Sequence, residues 1–165
     1  MDTPEAALRD AVRSALPRLE DIPDVEARCP RAPGKWSRKE IVGHLIDSAS
    51  NNHQRFVRAQ LTNDLVCATY DQDAWVEAQR YVDADWHDLR ALWSHYNLHL
   101  AHVMAACPPD ARTRPRAKHN LHEVAFRAVP ADQPTTLEFF MRDYVVHLDH
   151  HLAQIFDHEA MHQVR

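Results

Sequence analysis

The sequence is poor in glycine, with only 2 among its 165 residues. Tight hairpin turns depend largely on glycine, so a protein built from many β-hairpins is disfavoured. No apolar run approaches the ~18 residues that a membrane-spanning helix requires. The first residues, MDTPEAALRD, do not show the basic and then apolar pattern of a secretory signal. We therefore expect a helical, cytoplasmic protein with no membrane partner.

Basic charge is also limited, because the net charge is −5 and no sustained run of lysine and arginine occurs. A nucleic-acid-binding protein normally presents a basic face, so we expect no nucleic-acid partner. The one locally basic stretch is RTRPRAK, residues 112–118. Such a stretch is typically a solvated loop, and the alternative is a docking site for an acidic group of a substrate or cofactor.

Cysteine is scarce and widely spaced. Cys29, Cys67 and Cys107 are odd in number, which predicts neither a disulfide framework nor a Cys-x-x-Cys zinc site. We expect reduced thiols that are mostly packed, with Cys67 a candidate for exposure in the polar stretch TNDLVCATYD. A nucleophilic cysteine is the less favoured alternative.

What the sequence does contain is helical periodicity, with apolar residues three or four positions apart over long segments. Ser37 and Glu40 form a capping-box pattern, and Pro17 should bend or divide the first helix. Four long helices are predicted, from about Leu8 to Ile22, from Ser37 to near Asn63, from around Asp85 to before Pro108, and from near Thr135 past Ile155. With 45% hydrophobic residues, we expect a single domain, residues 1–165, folded as an all-α four-helix bundle.

Two connections between these helices differ from ordinary loops. Residues 70–82, YDQDAWVEAQRYV, are predicted to be part helix and part loop. Residues 110–133 look irregular and are long for a connection between bundle helices. A loop of this length in a compact domain often carries function or crosses the fold, so this one is a candidate for either role.

Histidine is abundant, and 13 residues of this type make accidental patterns common. Three pairs occur at a spacing of four, where roughly one would arise by chance. Histidines four apart on a helix are separated by about 40° around its axis and about 6 Å along it, so both rings can meet one metal ion. His147 and His151 share a stripe with Phe140, Tyr144 and Ile155, and this stripe faces the core.

A third histidine has the same orientation on the second helix, where His44 lies three positions after Ile41 and four before Ser48. A buried neutral imidazole needs partners for both ring nitrogens, and a metal ion plus one acceptor supplies them. We therefore predict a metal site formed by His44, His147 and His151. Three imidazoles leave at least one coordination position open, which favours catalysis.

The remaining histidines are weaker candidates. His158 and His162 lie at the chain terminus, where fraying and exposure are expected. His150 could reach the main site, although its row on the helix turns partly outward. A rival trio on the third helix consists of His95, His99 and His102. Of these, His95 and His102 lie mainly beside the apolar stripe of that helix.

Three stretches carry a resemblance to a known family. GKWSRKEIVGHLIDS, residues 34–48, resembles the second-helix motif of the DinB/YfiT-like metalloprotein superfamily. YVVHLDHHLAQI, residues 144–155, is similar to the closing His-x-x-x-His helix of that family, and YDQDAW, residues 70–75, to a segment of its YfiT-like branch. The resemblance implies a four-helix bundle that binds a divalent metal ion through His44, His147 and His151. Related members include bacillithiol and mycothiol S-transferases, a maleylpyruvate isomerase and many proteins described only as metal-dependent hydrolases.

The resemblance and the three-histidine pattern together predict a metal-dependent enzyme acting on a small molecule. The favoured reaction is an S-transfer in which a low-molecular-weight thiol cosubstrate attacks a small electrophile. The alternatives are a metal-dependent hydrolase and a non-catalytic metal-binding or stress-response bundle. The sequence does not distinguish zinc, nickel and iron, because histidine suits all three.

Neither the catalytic base nor the assembly state is fixed by this pattern. Four polar residues could lie near the site, namely Asp47, Tyr70, Asp71 and Asp143. Residues of this kind are more often helix caps or surface contacts than catalytic residues. We also expect a homodimer, formed through exposed parts of the first and third helices with several tryptophans nearby.

Overall fold

The computed structural model describes residues 2–156 and contains eight α-helices in that range. The four long helices are α1 (Pro4–Glu20), α3 (Arg38–Leu61), α5 (Trp86–Ala106) and α8 (Leu137–Phe156). The short helices are α2 (Asp24–Arg28), α4 (Gln72–Gln79), α6 (Pro109–Thr113) and α7 (Leu121–Val124), and a 3-10 turn covers Tyr81–Asp83.

The long helices form a four-helix bundle, which confirms the predicted fold. Helices α1 and α3 each pack against both α5 and α8. The two long helices that come first in the chain therefore occupy opposite corners of the bundle. The centre is filled by buried apolar side chains from all four, including Leu8, Leu45, Phe56, Trp93 and Leu148.

Side-chain caps fix where the long helices begin. The Ser37 hydroxyl accepts a hydrogen bond from the Glu40 backbone N–H, and the Glu40 carboxylate accepts one from the Ser37 backbone N–H. This is the predicted capping box. Asp85 caps α5 through the Asp88 N–H, and the Thr136 hydroxyl accepts a hydrogen bond from the Phe139 N–H at the start of α8.

The first helix was expected to bend or divide at Pro17, and it is not divided. Helix α1 continues through Pro17 to Glu20. Proline removes one backbone hydrogen bond, but the buried face continues on both sides of it, from Val12 to Leu19. Packing of this face against α5 and α8 therefore outweighs the local loss.

The segment after α3 is part helix and part loop, as predicted, and it fixes the position of α3. The Tyr81 ring lies so close to Gly43 that a Cβ atom there would be 2.1 Å from the ring. The Tyr81 hydroxyl donates to the Asp47 carboxylate at 2.7 Å. Helix α3 is thus held on both sides of His44, and only glycine allows the ring to approach this closely.

The basic stretch at residues 112–118 is mixed, because Arg114 and Lys118 are exposed, as expected of a solvated loop, whereas Arg112 and Arg116 hold the fold together. The docking role stays a prediction. Arg112 forms ion pairs with Glu5 and Glu138 and joins the start of α1 to α8. Arg116 is 1% exposed. Its guanidinium donates to four backbone carbonyl groups, those of Ala59, Thr62, Asp64 and Ala111.

The exposure of the cysteine and tryptophan side chains also differs in part from what the sequence predicted. Cys107 is buried and Cys67 half-buried, but Cys29 is exposed and not packed. Trp86 and Trp93 lie in the core, so these two tryptophans cannot contribute to a dimer face. The homodimer itself stays a prediction. No helix in the described part of the chain is both long and apolar enough to cross a membrane.

Replacing Arg116 tests whether the loop before α8 is held by this one side chain. We expect Arg116→Met to lower the free energy of unfolding by at least about 3 kcal/mol, because hydrogen bonds from a charged donor to buried carbonyl groups are lost. Arg114→Met is the matched control, since Arg114 is exposed and, among the described residues, donates a single hydrogen bond, to the Thr62 carbonyl. Denaturant unfolding followed by circular dichroism measures both, and equal stability of the two variants would contradict this role.

Candidate metal centre

The structure brings together the three histidines that the sequence singled out. His44 comes from α3, and His147 and His151 lie one turn apart on α8. The Nε2 atoms of His44 and His147 are 3.2 Å apart. The centroid of the His151 ring lies 4.7 Å from that of His44 and 4.5 Å from that of His147. One potential ligand atom from each residue falls within 4.8 Å of the others.

These distances fit a single divalent ion. Two nitrogen ligands at 2.0–2.1 Å from a tetrahedral zinc ion are about 3.3 Å from each other. The 3.2 Å separation of the His44 and His147 nitrogens is close to this value. Imidazole nitrogens also suit nickel and iron, so the donor set agrees with the metals expected from the sequence.

The ring orientations are set by neighbours on the same two helices. Nδ1 of His151 lies 3.0 Å from the Gln154 amide oxygen. If Nδ1 donates this hydrogen bond, Nε2 of His151 retains its lone pair for a metal ion. The Ser48 hydroxyl lies 3.5 Å from Nδ1 of His147, one turn after His44 on α3. On α3 the spacing of four thus supplies both a ligand, His44, and a hydroxyl beside the opposite ligand, whereas on α8 Gln154 lies beside His151 of the same helix.

Burial keeps the three imidazoles neutral. Burial, together with a smaller effect of nearby histidines, lowers the pKa of His44 to about 3 and that of His147 to about 2. Burial also lowers the pKa of His151. A neutral imidazole is the form that binds a metal ion. All three side chains are therefore in the ligand form at neutral pH.

The histidines line a pocket of about 480 Å³. Its floor is a row of polar residues on α3 that we call the polar stripe: His44, Ser48, Asn52 and Arg55. All four side chains are buried, although the stripe lies in the middle of a core helix. Three of them carry a buried atom with no hydrogen-bond partner among the described residues, namely His44 Nδ1, Asn52 Oδ1 and Arg55 Nε. Such atoms are rare in protein interiors and often mark a binding site.

The long connection before α8 covers one side of this pocket. The Asp143 carboxylate accepts hydrogen bonds from the backbone N–H groups of Phe126 and Arg127, at 2.7 and 2.9 Å. The Phe126 ring is thereby placed 5.5 Å from the His147 ring and 5.1 Å from the His150 ring. The irregular segment predicted to have a functional or crossing role thus forms a wall of the candidate site.

Comparison with known proteins identifies the family of this chain. The family model of the DinB superfamily matches residues 7–155. The chain belongs to the DinB superfamily. The resemblance inferred from the sequence motifs is therefore confirmed.

Among solved structures, the chain is similar to YfiT from Bacillus subtilis, described as a probable metal-dependent hydrolase with an unusual four-helix bundle topology. The identity is 22%, the TM-score is 0.74, and the match covers 93% of this chain and 82% of YfiT. At this identity the likeness supports the DinB fold. No curated protein matches the chain.

The rival histidines do not assemble a comparable site. The proposed trio on α5 is exposed to solvent: His95, His99 and His102. His150 lines the pocket, but it is exposed and its Nε2 lies 2.9 Å from the Gln154 amide nitrogen. His158 and His162 lie outside the described residues.

The polar residues considered near the site have identifiable contacts. Asp71 caps α4, and Asp47 accepts hydrogen bonds from Tyr81 and Gln79. Tyr70 lines the pocket, and burial raises its pKa to about 12, so it stays protonated. Asp143 anchors the covering loop.

Sequence reasoning missed three pocket residues, Asn52, Arg55 and Phe126. The first two were detectable, because they continue the helical spacing of His44 and Ser48. Phe126 lies in an irregular segment, where spacing carries no information about orientation.

The ligand assignment predicts a specific pattern of metal loss. His44→Ala, His147→Ala and His151→Ala should each weaken metal binding by more than about 100-fold, because losing a residue that merely orients a ligand already costs about 10–100-fold. Elemental analysis after dialysis measures the occupancy, with His95→Ala as the exposed control. Full metal retention by His147→Ala and His151→Ala would refute the assignment.

Proposed function

We propose that this DinB protein is a metal-dependent enzyme that joins a low-molecular-weight thiol to a small electrophile. The observation that carries the proposal is the position of His44, His147 and His151, which surround one point in the wall of an accessible pocket. The pocket volume of about 480 Å³ suits a small-molecule substrate. Three protein ligands leave a position for an exogenous group, as in catalytic rather than structural zinc sites.

The chemistry expected of such a centre matches a thiol reaction. A divalent ion held by three neutral imidazoles would keep its full charge and would lower the pKa of a thiol that ligates it. In the conjugation, the thiol loses its proton to solvent, its sulfur forms a bond to the electrophilic carbon, and the leaving group departs with the electron pair of the bond that breaks. The histidines hold the centre, and the polar stripe and Phe126 shape the space for the two reactants.

The carboxylates of the pocket favour a thiol over water as the nucleophile. Metal-assisted hydrolysis commonly uses a nearby carboxylate as general base. Among the described residues that line the pocket, the acidic side chains are Asp143 and Glu123. Asp143 already accepts hydrogen bonds from two backbone N–H groups and pairs with Arg127, and Glu123 is exposed. A thiol that is ionised by the ion itself needs no such base.

The attacking sulfur is assigned to a cosubstrate and not to the chain. The described residues that line the pocket include no cysteine. Burial raises the pKa of Cys67 and that of Cys107, which keeps both thiols protonated and weakly nucleophilic. A cytoplasmic location, where low-molecular-weight thiols stay reduced, suits this reaction.

Hydrolysis is the second candidate, favoured by the similarity to YfiT, which is described as a probable metal-dependent hydrolase. In this alternative the same three histidines would hold the ion, and its bound water would take the place of the thiol. The two reactions differ in their requirement for a thiol. They are therefore separable by assay.

Mass spectrometry of the products tests the proposal. Panels of thiols and electrophiles are incubated with the protein, with and without metal. We expect conjugates that require metal and are lost in His151→Ala, because that variant lacks a ligand. Cys29→Ser, Cys67→Ser and Cys107→Ser should stay active, since the sulfur comes from the cosubstrate. Metal-dependent cleavage without a thiol would assign a hydrolase, and metal-replete protein with neither activity would assign a non-catalytic metal-binding bundle.

A further inference from the structure

The polar stripe extends well beyond the histidines and ends at Arg55. This side chain is 8% exposed and lines the pocket. One of its terminal nitrogens, Nη2, donates to the Ala68 carbonyl at 2.7 Å, while its Nε has no hydrogen-bond partner among the described residues. The guanidinium carbon lies 5.9 Å from the centre of the Tyr70 ring. Arg55 therefore retains an unused donor within the walls of the pocket.

The charge of Arg55 is not balanced by a carboxylate of the described chain. Its contacts there are a backbone carbonyl and aromatic or thiol groups, those of Tyr70 and Cys67. The two acids of the pocket are engaged elsewhere, because Asp143 pairs with Arg127 and Glu123 contacts Asn120 and His122. A buried cation without a counterion is costly, so an anionic ligand group would be stabilised beside it.

The geometry of the guanidinium selects the kind of anion. Arginine presents parallel N–H donors that match the two oxygens of a carboxylate. Helical side chains lean toward the N-terminus of their helix, which directs Arg55 toward Ser48 and the histidines. Seven residues separate Ser48 from Arg55, a rise of about 10 Å, so one small molecule can reach both the histidines and Arg55.

Asn52 lies between these two ends and adds a second contact. Its amide nitrogen donates to the Ser48 carbonyl at 2.9 Å, which leaves its buried Oδ1 as a free acceptor. A hydroxyl or N–H group of a ligand would satisfy this atom. The stripe thus offers, in order along α3, a metal ligand, a hydroxyl, an acceptor and a cation.

We propose that Arg55 binds a carboxylate group of one reactant, so that the substrates of this site include a small organic acid. The inference rests on the proposed function. The carboxylate belongs either to the thiol or to the electrophile, and both would use the same contact with Arg55.

The first experiment compares acids with their amides in cobalt-loaded protein, where thiol ligation produces a charge-transfer absorption band. The probes are 3-mercaptopropionate and 6-mercaptohexanoate, each against the corresponding neutral amide. If the carboxylate belongs to the thiol, one acid should bind at least about tenfold more tightly than its amide, which corresponds to roughly 1.4 kcal/mol. This comparison uses the unaltered protein, so it does not depend on whether a variant folds.

Arg55→Met should abolish this preference, because the acid loses much more affinity than the amide when the guanidinium is removed. Arg58→Met is the matched control, because Arg58 lies on the exposed side of α3 and donates to Gln54. If Arg55 only supported the structure through its hydrogen bond to the Ala68 carbonyl, its replacement would weaken the binding of the acid and of the amide alike. That result would overturn the proposal.

The second experiment places the carboxylate on the electrophile. Conjugation of 2-mercaptoethanol is measured with chloroacetate and with chloroacetamide, where the C–S bond forms and chloride leaves. An acid preference in either experiment that disappears in Arg55→Met supports the proposal and identifies the reactant that carries the carboxylate. Equal affinity for acid and amide in the first experiment, together with equal conjugation rates for them in the second, would overturn the proposal.

Failure of the proposed function gives a different result, namely no charge-transfer band with any thiol. Calorimetry on the metal-free protein then tests Arg55 by itself, with glutarate and the neutral glutaramide as probes. Glutarate binding that is lost in Arg55→Met would support the carboxylate site. Absence of glutarate binding would overturn it.

Discussion

The need to satisfy polar groups inside a helical core governs this structure. Helix α3 packs against both α5 and α8, yet one of its faces carries four buried polar side chains, those of His44, Ser48, Asn52 and Arg55. Buried polar groups without partners are expensive, so such a face is retained only where something binds it. Helix α8 supplies two more imidazoles opposite this face, and the pocket lies where apolar side chains would otherwise meet.

The rest of the fold holds that face in place. Tyr81 packs on Gly43 and hydrogen-bonds Asp47, which fixes α3 on both sides of His44. Asp143 binds the loop that covers the pocket, one turn before His147 on α8. The ligands are thus carried by rigid helices, whereas the covering wall is carried by a loop. Such a division keeps a metal site rigid while a loop shapes the space for substrate.

Local signals in the sequence predicted the helices and the histidine cluster. The capping box at Ser37 and the spacing of His147 and His151 depend on neighbours along one helix, so they are readable without a fold. The burial of Arg116 was not predictable from its neighbours, because it results from contacts with carbonyl groups more than 50 residues away in the chain. The undivided α1 has a similar cause, since packing against other helices outweighs the local tendency of Pro17 to interrupt a helix.

The central claim is that His44, His147 and His151 together bind one divalent ion. X-ray absorption at the metal edge, on protein purified without a metal-affinity column, tests this most directly. The account predicts three imidazole nitrogens at about 2.0–2.1 Å from the metal ion. The remaining position is expected to hold a water molecule, which sulfur replaces when a thiol is added. A spectrum with fewer than three imidazoles, or one unchanged in the His44→Ala and His151→Ala variants, would contradict it.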